Sequence, residues 1–345
     1  SSGGVLELDH ISQLQRASLA LTDSGTVLVS FGTYCFTSPW HGWLLGYDAG
    51  TLQQTHVFCT TPNEEGGSLW MGGSGPAVEG DFVYFGTANG EYNPGNKNFG
   101  DCIVKVNLRN KGNGVGEYGN MLNDITDHFA PFNQAQLYEY DLDFATGGIV
   151  LIPGTDLCVV CAKSGNCYMA DKNNMGGYSP NYNVNTQTFR PDVTTPEQFY
   201  YGVHAAGVVW DSPTKGKRIY YSPANSNLRA LRLIPNGRLG VFDIPNAEIS
   251  NAPKAEYPGG IISLSALGST PKSGVVWVYH TLDGNANHAI RQGVLRAFDA
   301  EDVKVELWNS QMNGRDTVGV FGKFNPPMVA NGRVYLGTFS YEPSN

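Results

Sequence analysis

The chain has 345 residues, 15% of them charged, with 43 glycines, 19 prolines and a net charge of −9. A chain of this length can bury a large core without disulfides or metals, and its low charge content argues against coiled coils, long helical arrays and charge-driven disorder. The acidic balance disfavours nucleic-acid binding, which needs a basic face, and no apolar run approaches the length of a membrane-spanning helix.

The opening Ser1-Ser2-Gly3-Gly4 has neither the basic nor the apolar region of a secretory signal, so a targeting segment is expected to be absent or already removed. A strand-like run, Leu6-Glu7-Leu8-Asp9, follows. Then a phrase recurs: a polar turn and a short alternating apolar strand, often ending in Gly-Thr. Its copies are Val27 to Thr33, Phe82 to Thr87, Leu157 to Cys161, Arg218 to Tyr221, Val275 to Tyr279 and Arg333 to Thr338. Anchored on Phe31, Phe85, Cys161, Tyr221, Tyr279 and Leu336, they stand 54, 76, 60, 58 and 57 residues apart.

A second alternating strand, usually closed by Asp, follows the first five copies at Leu45 to Asp48, Val104 to Asn107, Tyr168 to Asp171, Arg229 to Arg232 and Arg296 to Asp299. The sixth copy has no follower, and Leu6 to Asp9 supplies the missing one from the other end. Strand periodicity with Gly and Pro punctuation at this spacing predicts an all-β fold, a six-bladed β-propeller forming a single domain over residues 1–345. The N-terminal strand is expected to complete the last blade and close the ring by backbone hydrogen bonds. Residues 107–127 and 173–195 are expected to be long surface loops.

Six cysteines occur, at 35, 59, 102, 158, 161 and 167. Cys158 and Cys161 form a C-x-x-C inside an apolar strand, whereas a redox pair belongs at a helix N-terminus, so buried thiols are expected. Low lysine content with many Tyr, Asn and Gly points to a secreted or lumenal protein, although no N-x-S/T sequon is present and the sequence does not exclude the cytoplasm. No H-E-x-x-H, G-x-S-x-G or phosphate-loop pattern occurs, and no stretch clusters enough acids for a calcium site; no metal site is expected.

In a propeller, the segment ahead of each first phrase converges on the central channel. Those segments carry Arg16, Asp143, His204 and Lys323 as candidate catalytic groups. They also carry Trp70, Met71, Tyr201 and Phe324 as candidate apolar walls, the composition expected of a small-molecule site. Tyr34 and His41, in the turn after the first phrase, are further binding candidates. His204 suits acid/base work because its ordinary pKa lies near neutrality, and Arg16 or Lys323 suits an oxyanion. A buried Arg16–Asp143 pair that merely fills the channel is the structural alternative. Asp141 and Asp143 alternate, so on a strand they face opposite ways and form no carboxylate pair.

Asp48-Ala49 with Thr51 to Gln54, Gly293 to Ala300 and Asn331 to Tyr335 resemble the repeats of PQQ-like, quinoprotein-type β-propellers. The resemblance runs from about residue 15 to 340 and implies the same fold. Quinoprotein dehydrogenases of that type carry a vicinal Cys-Cys pair and tryptophan docking repeats around eight blades; neither occurs here, so no quinone and no other cofactor is expected. The truncated ring is similar to fungal propeller pericyclases, including hetero-Diels–Alder enzymes. That likeness implies a monomeric, lyase-like enzyme of specialised metabolism that dehydrates or cyclises a small hydrophobic substrate with a polar edge. A non-catalytic propeller binding a protein or glycan, and a PQQ-dependent dehydrogenase, are the competing expectations.

Overall fold

The computed structural model describes residues 6–33, 38–109, 119–197 and 201–339. The chain is nearly all β. Its strands gather in chain order into successive antiparallel sheets, and the one α-helix among the described residues is Gln134–Glu139. No helix among the described residues is long and apolar enough to cross a membrane.

The chain divides into two compact units. One comprises residues up to Leu151 with Asp156–Ala162 and Tyr168–Thr188, the other Ile152–Thr155, Lys163–Cys167 and the chain from Phe189 onward. In the first unit, the first sheet has six strands, built around Ala20–Leu21, Thr26–Thr33, Trp43–Asp48 and Gln54–Cys59. The second has four: Ala77–Glu79, Phe82–Gly86, Ile103–Asn107 and Ile125–Phe129. The third, almost wholly in this unit, is Ile149–Leu151, Leu157–Cys161, Cys167–Asp171 and Gln187–Phe189. Leu157–Cys161 and Cys167–Asp171 are buried along their whole length, as strands covered on both faces must be. Phe58 packs edge-on to Phe85 at 5.0 Å, and Phe144 lies 4.9 Å from Tyr168.

The second unit holds the fourth sheet, Val208–Ser212, Gly216–Tyr221, Arg229–Ile234 and Val241–Ile249. Its fifth sheet is Ile261–Ser265, Val275–Thr281, Gly293–Asp299 and Glu306–Asn309. One apolar cluster joins Trp210, Tyr220, Val276 and Phe298; another joins Ala205, Ile261, Tyr279 and Phe321. The sixth repeat forms two separate pairs, Val320–Phe321 with Thr338–Phe339 and Met328–Ala330 with Arg333–Tyr335.

The first five copies of each recurring phrase are thus strands, the second and third of their sheets. The expected closing strand is not formed: Leu6 to Asp9 lies in no strand. The Asp9 carboxylate accepts the Ile11 N–H at 3.0 Å and the Asp9 carbonyl accepts from Gln13 N at 3.1 Å. These bonds turn the chain instead of extending it, and Leu8 packs against Trp43, Leu45 and Cys59 of the first sheet. Of the two expected loops, 107–127 ends in the outer strand Ile125–Phe129 and buries Met121 completely, while 173–195 contains the outer strand Gln187–Phe189. The C-x-x-C reading holds only in part. Cys158 is a free buried thiol, pushed up to about 12 by burial, whereas Cys161 and Cys167 are disulfide-bonded.

Candidate functional site

The first unit contains a pocket of about 270 Å³ built on four segments, two that precede the first strand of a sheet and two that end or follow the second. One wall is Trp70. It enters a turn in which Met71, Gly72 and Gly73 have φ of 55°, 54° and 82°, a left-handed run that needs glycine. Ser74 N closes the turn onto Met71 O at 2.9 Å, and Ser18 donates from its hydroxyl to Gly73 O at 2.5 Å and from its N–H to Ser74 O at 3.1 Å. Those bonds tie the Arg16 segment to the turn, and the Arg16 guanidinium lies 4.2 Å from the centre of the Trp70 ring. The indole also rests on Gly32, where a Cβ would stand 2.6 Å from its ring.

The opposite wall comes from the end of the short helix Gln134–Glu139. Asp141 N donates to Tyr138 O at 3.3 Å and Leu142 N to Leu137 O at 2.9 Å, the two bonds of a Schellman close. Asp141 occupies its left-handed position, with φ 55°, where glycine is usual. This reversal, rather than a strand, separates Asp141 from Asp143, so strand alternation does not apply to them. Contrary to expectation, the two acids share a pocket and a partner. The Asn89 side-chain amide donates to Asp141 Oδ1 at 2.8 Å, and the Asn89 N–H donates to Asp143 Oδ1 at 3.2 Å. Thr33, Trp40, Ser68 and Tyr138 complete the lining.

A third acid stands behind them. Asp101 is fully buried; its carboxyl accepts from Phe144 N at 3.1 Å and from the Gln134 amide at 3.4 Å. Burial first, and then the charge of Asp143, holds Asp101 well above the usual carboxylate range. Asp143 itself is 7% exposed and lines the pocket.

The structure brings together Arg16, Trp70 and Asp143 among the expected residues. Met71 is not a wall; it is completely buried in the core of the first unit. His41 is also interior, its Nδ1 2.9 Å from Thr61 O, and burial lowers its pKa. Tyr34 lies outside the described residues. In the second unit, Lys323 borders a separate pocket of about 470 Å³ walled by Ile290, Val320, Phe321 and Phe339, and its amine donates to Asn287 O at 3.5 Å. His204 is not part of that pocket's lining; it is buried edge-on against Tyr257, with ring centres 4.9 Å apart. Phe324 has φ 66° and packs on the cluster containing Ala205 and Phe321, while the Tyr201 carbonyl faces Gly165.

Sequence reasoning missed Asp101 and Tyr138 and rejected Asp141 as a partner of Asp143. The signal for Asp141 was present: an acid one residue past a possible helix end, where glycine would be expected. Among the described residues, no group of three or more His, Cys, Asp or Glu is arranged to hold a metal ion.

No protein-family model matches the chain, and no curated protein matches it. Solved structures do. The quinohemoprotein alcohol dehydrogenase ADHIIG of Pseudomonas putida HK5 is 15% identical with a TM-score of 0.49, over 96% of this chain and 56% of that one. BamB from Moraxella catarrhalis is 11% identical with a TM-score of 0.45, over 96% and 85%. The β-propeller domain of Cps50 (Swd1) from Myceliophteria thermophila is 9% identical with a TM-score of 0.41, over 85% and 72%. The chain spans a little over half the length of the alcohol dehydrogenase, and these values describe a distant likeness in the path of the chain.

Proposed function

We propose that this chain is a single six-bladed β-propeller domain acting as a small-molecule enzyme that transfers protons without a redox cofactor, and that its site is the pocket of the first unit. The observation that carries the reading is the Asn89 clamp, which sets two carboxylates on one wall of a pocket faced by Trp70. Asp143 is the base: it takes a proton from the substrate and returns it to a departing hydroxyl, giving dehydration or cyclisation with no electron acceptor required. Trp70, held by Gly32 and Arg16, keeps the substrate oriented. Burial and the charge of Asp143 favour the protonated form of Asp101.

The pyrroloquinoline quinone of the resembling family does not fit this pocket. That cofactor is a tricarboxylate, and the lining presents two carboxylates and no Lys, Arg or His. No step is routed through it. The disulfide-bonded Cys161 and Cys167 support placing the protein in an oxidising, secreted or lumenal compartment.

The test incubates a metabolite extract with the wild type and with Asp143→Asn, and follows masses without added oxidant. The reading expects a compound that loses water or isomerises with the wild type only, while both proteins keep the same circular dichroism. Conversion by Asp143→Asn at the wild-type rate, or no compound consumed by either protein, refutes it.

A further inference from the structure

We infer that the ligand of the first-unit pocket is an organic cation, an amine or quaternary ammonium on a compact apolar body. The inference rests on reading that pocket as the site. Both charged groups of its lining are acceptors. Asp141 and Asp143 are carboxylates, and Asn89 turns its side-chain amide towards the first and its backbone N–H towards the second. Its buried Oδ1 has no hydrogen-bond partner. The Thr33 hydroxyl oxygen, in the same lining, is also buried without a partner. Two carboxylates select a cation: a protonated amine donates without accepting, and a quaternary ammonium brings the charge alone.

The apolar wall agrees. Trp40, Trp70 and Tyr138 supply two indoles and a phenol, the surfaces that attract cations through the ring quadrupole. Trp70 already holds one cation in this way, the Arg16 guanidinium at 4.2 Å. The lining residues carry two formal negative charges and no positive one, on a chain of net charge −9. A carboxylate ligand meets repulsion here, and a neutral alcohol forgoes the charge-assisted bonds to Asp141 and Asp143. Asp141 is the exposed acid of the two, so it makes the first contact at the rim, and Asp143 lies deeper, where proton transfer is placed.

The test titrates the full chain with 2-phenylethylamine, its trimethylammonium analogue, 2-phenylethanol and 3-phenylpropionate, reading tryptophan fluorescence at two salt concentrations. Both cations are expected to bind at least about tenfold more tightly than the alcohol and to weaken with salt, and the acid is expected not to bind. Asp141→Gly should weaken both cations by about tenfold or more. Alcohol or acid binding as tight as that of the cations overturns the inference; so does cation affinity unchanged in Asp141→Gly, or no cation binding at millimolar concentration. If the cations fail while Asp143→Asn still abolishes conversion of a metabolite, the ligand class falls and the site stands. If both fail, the site falls too.

Discussion

Asp141 closes a helix and faces a pocket, and the two duties can be separated by one substitution. At φ 55°, an L-residue bears a left-handed strain of about 1–2 kcal/mol, less for Asp than for most residues. Replacing Asp141 with Gly relieves that strain. It adds about 0.5–1 kcal/mol of unfolded-state freedom and removes the 2.8 Å bond from the Asn89 amide, an exposed bond worth about 0.5–1.5 kcal/mol. The sum lies within about 1.5 kcal/mol of zero. Asp141→Ala keeps the strain and loses the same bond, so it should be less stable than the glycine variant by about 1 kcal/mol. Urea unfolding followed by tryptophan fluorescence measures both. An alanine variant as stable as the glycine variant would refute the left-handed cap, and with it the reversal that brings Asp141 and Asp143 to one wall.

Gly32→Ala should cost about 1–3 kcal/mol by overpacking, because the new methyl would stand 2.6 Å from the Trp70 ring; an unchanged urea midpoint and emission spectrum would show that the indole does not rest there. In the folded chain the Asp101 carboxyl is held above its ordinary value of 3.8. The native state therefore holds a proton that the unfolded chain releases, and this contribution to stability is complete below pH 3.8 and is lost as pH rises through the folded value. Asp101→Asn should accordingly flatten the fall of melting temperature above that pH, and an identical slope in the two proteins would count against a protonated Asp101.

The second and third strands of the sheets were legible because they are covered on both sides and read as nearly continuous apolar runs; Gly293–Asp299 is buried at all but its last residue. The outer strands were not. Pairing between third and fourth strands shifts register at Gly46/Tyr47, Lys105/Val106, Ala230/Arg232 and Ala297/Phe298. An inserted residue such as Thr55, Thr126 or Leu307 flips the side-chain alternation midway, so the period-two signal cancels along a strand of four to nine residues. The site was legible in position but not in partnership. Arg16, Trp70 and Asp143 could be placed because each precedes a first strand. The Asn89 clamp depends on a helix too short to announce itself and on a backbone reversal that only the dihedral angles of Asp141 reveal. Leu6 to Asp9 alternates as a strand should, yet one carboxylate taking the Ile11 N–H is enough to turn it.

The register shifts in the outer strands also bear on how the molecule meets other chains. A straight, fully extended border strand offers an even row of N–H and C=O groups on which any loose polypeptide can zip. Each inserted residue breaks the spacing of that row and sharpens the local twist, so an incoming strand that pairs with the first half of Ile125–Phe129 or Glu306–Asn309 is out of step with the second. The border strands of the second, fourth and fifth sheets, Ile125–Phe129, Val241–Ile249 and Glu306–Asn309, therefore resist recruitment into fibrils or mixed sheets.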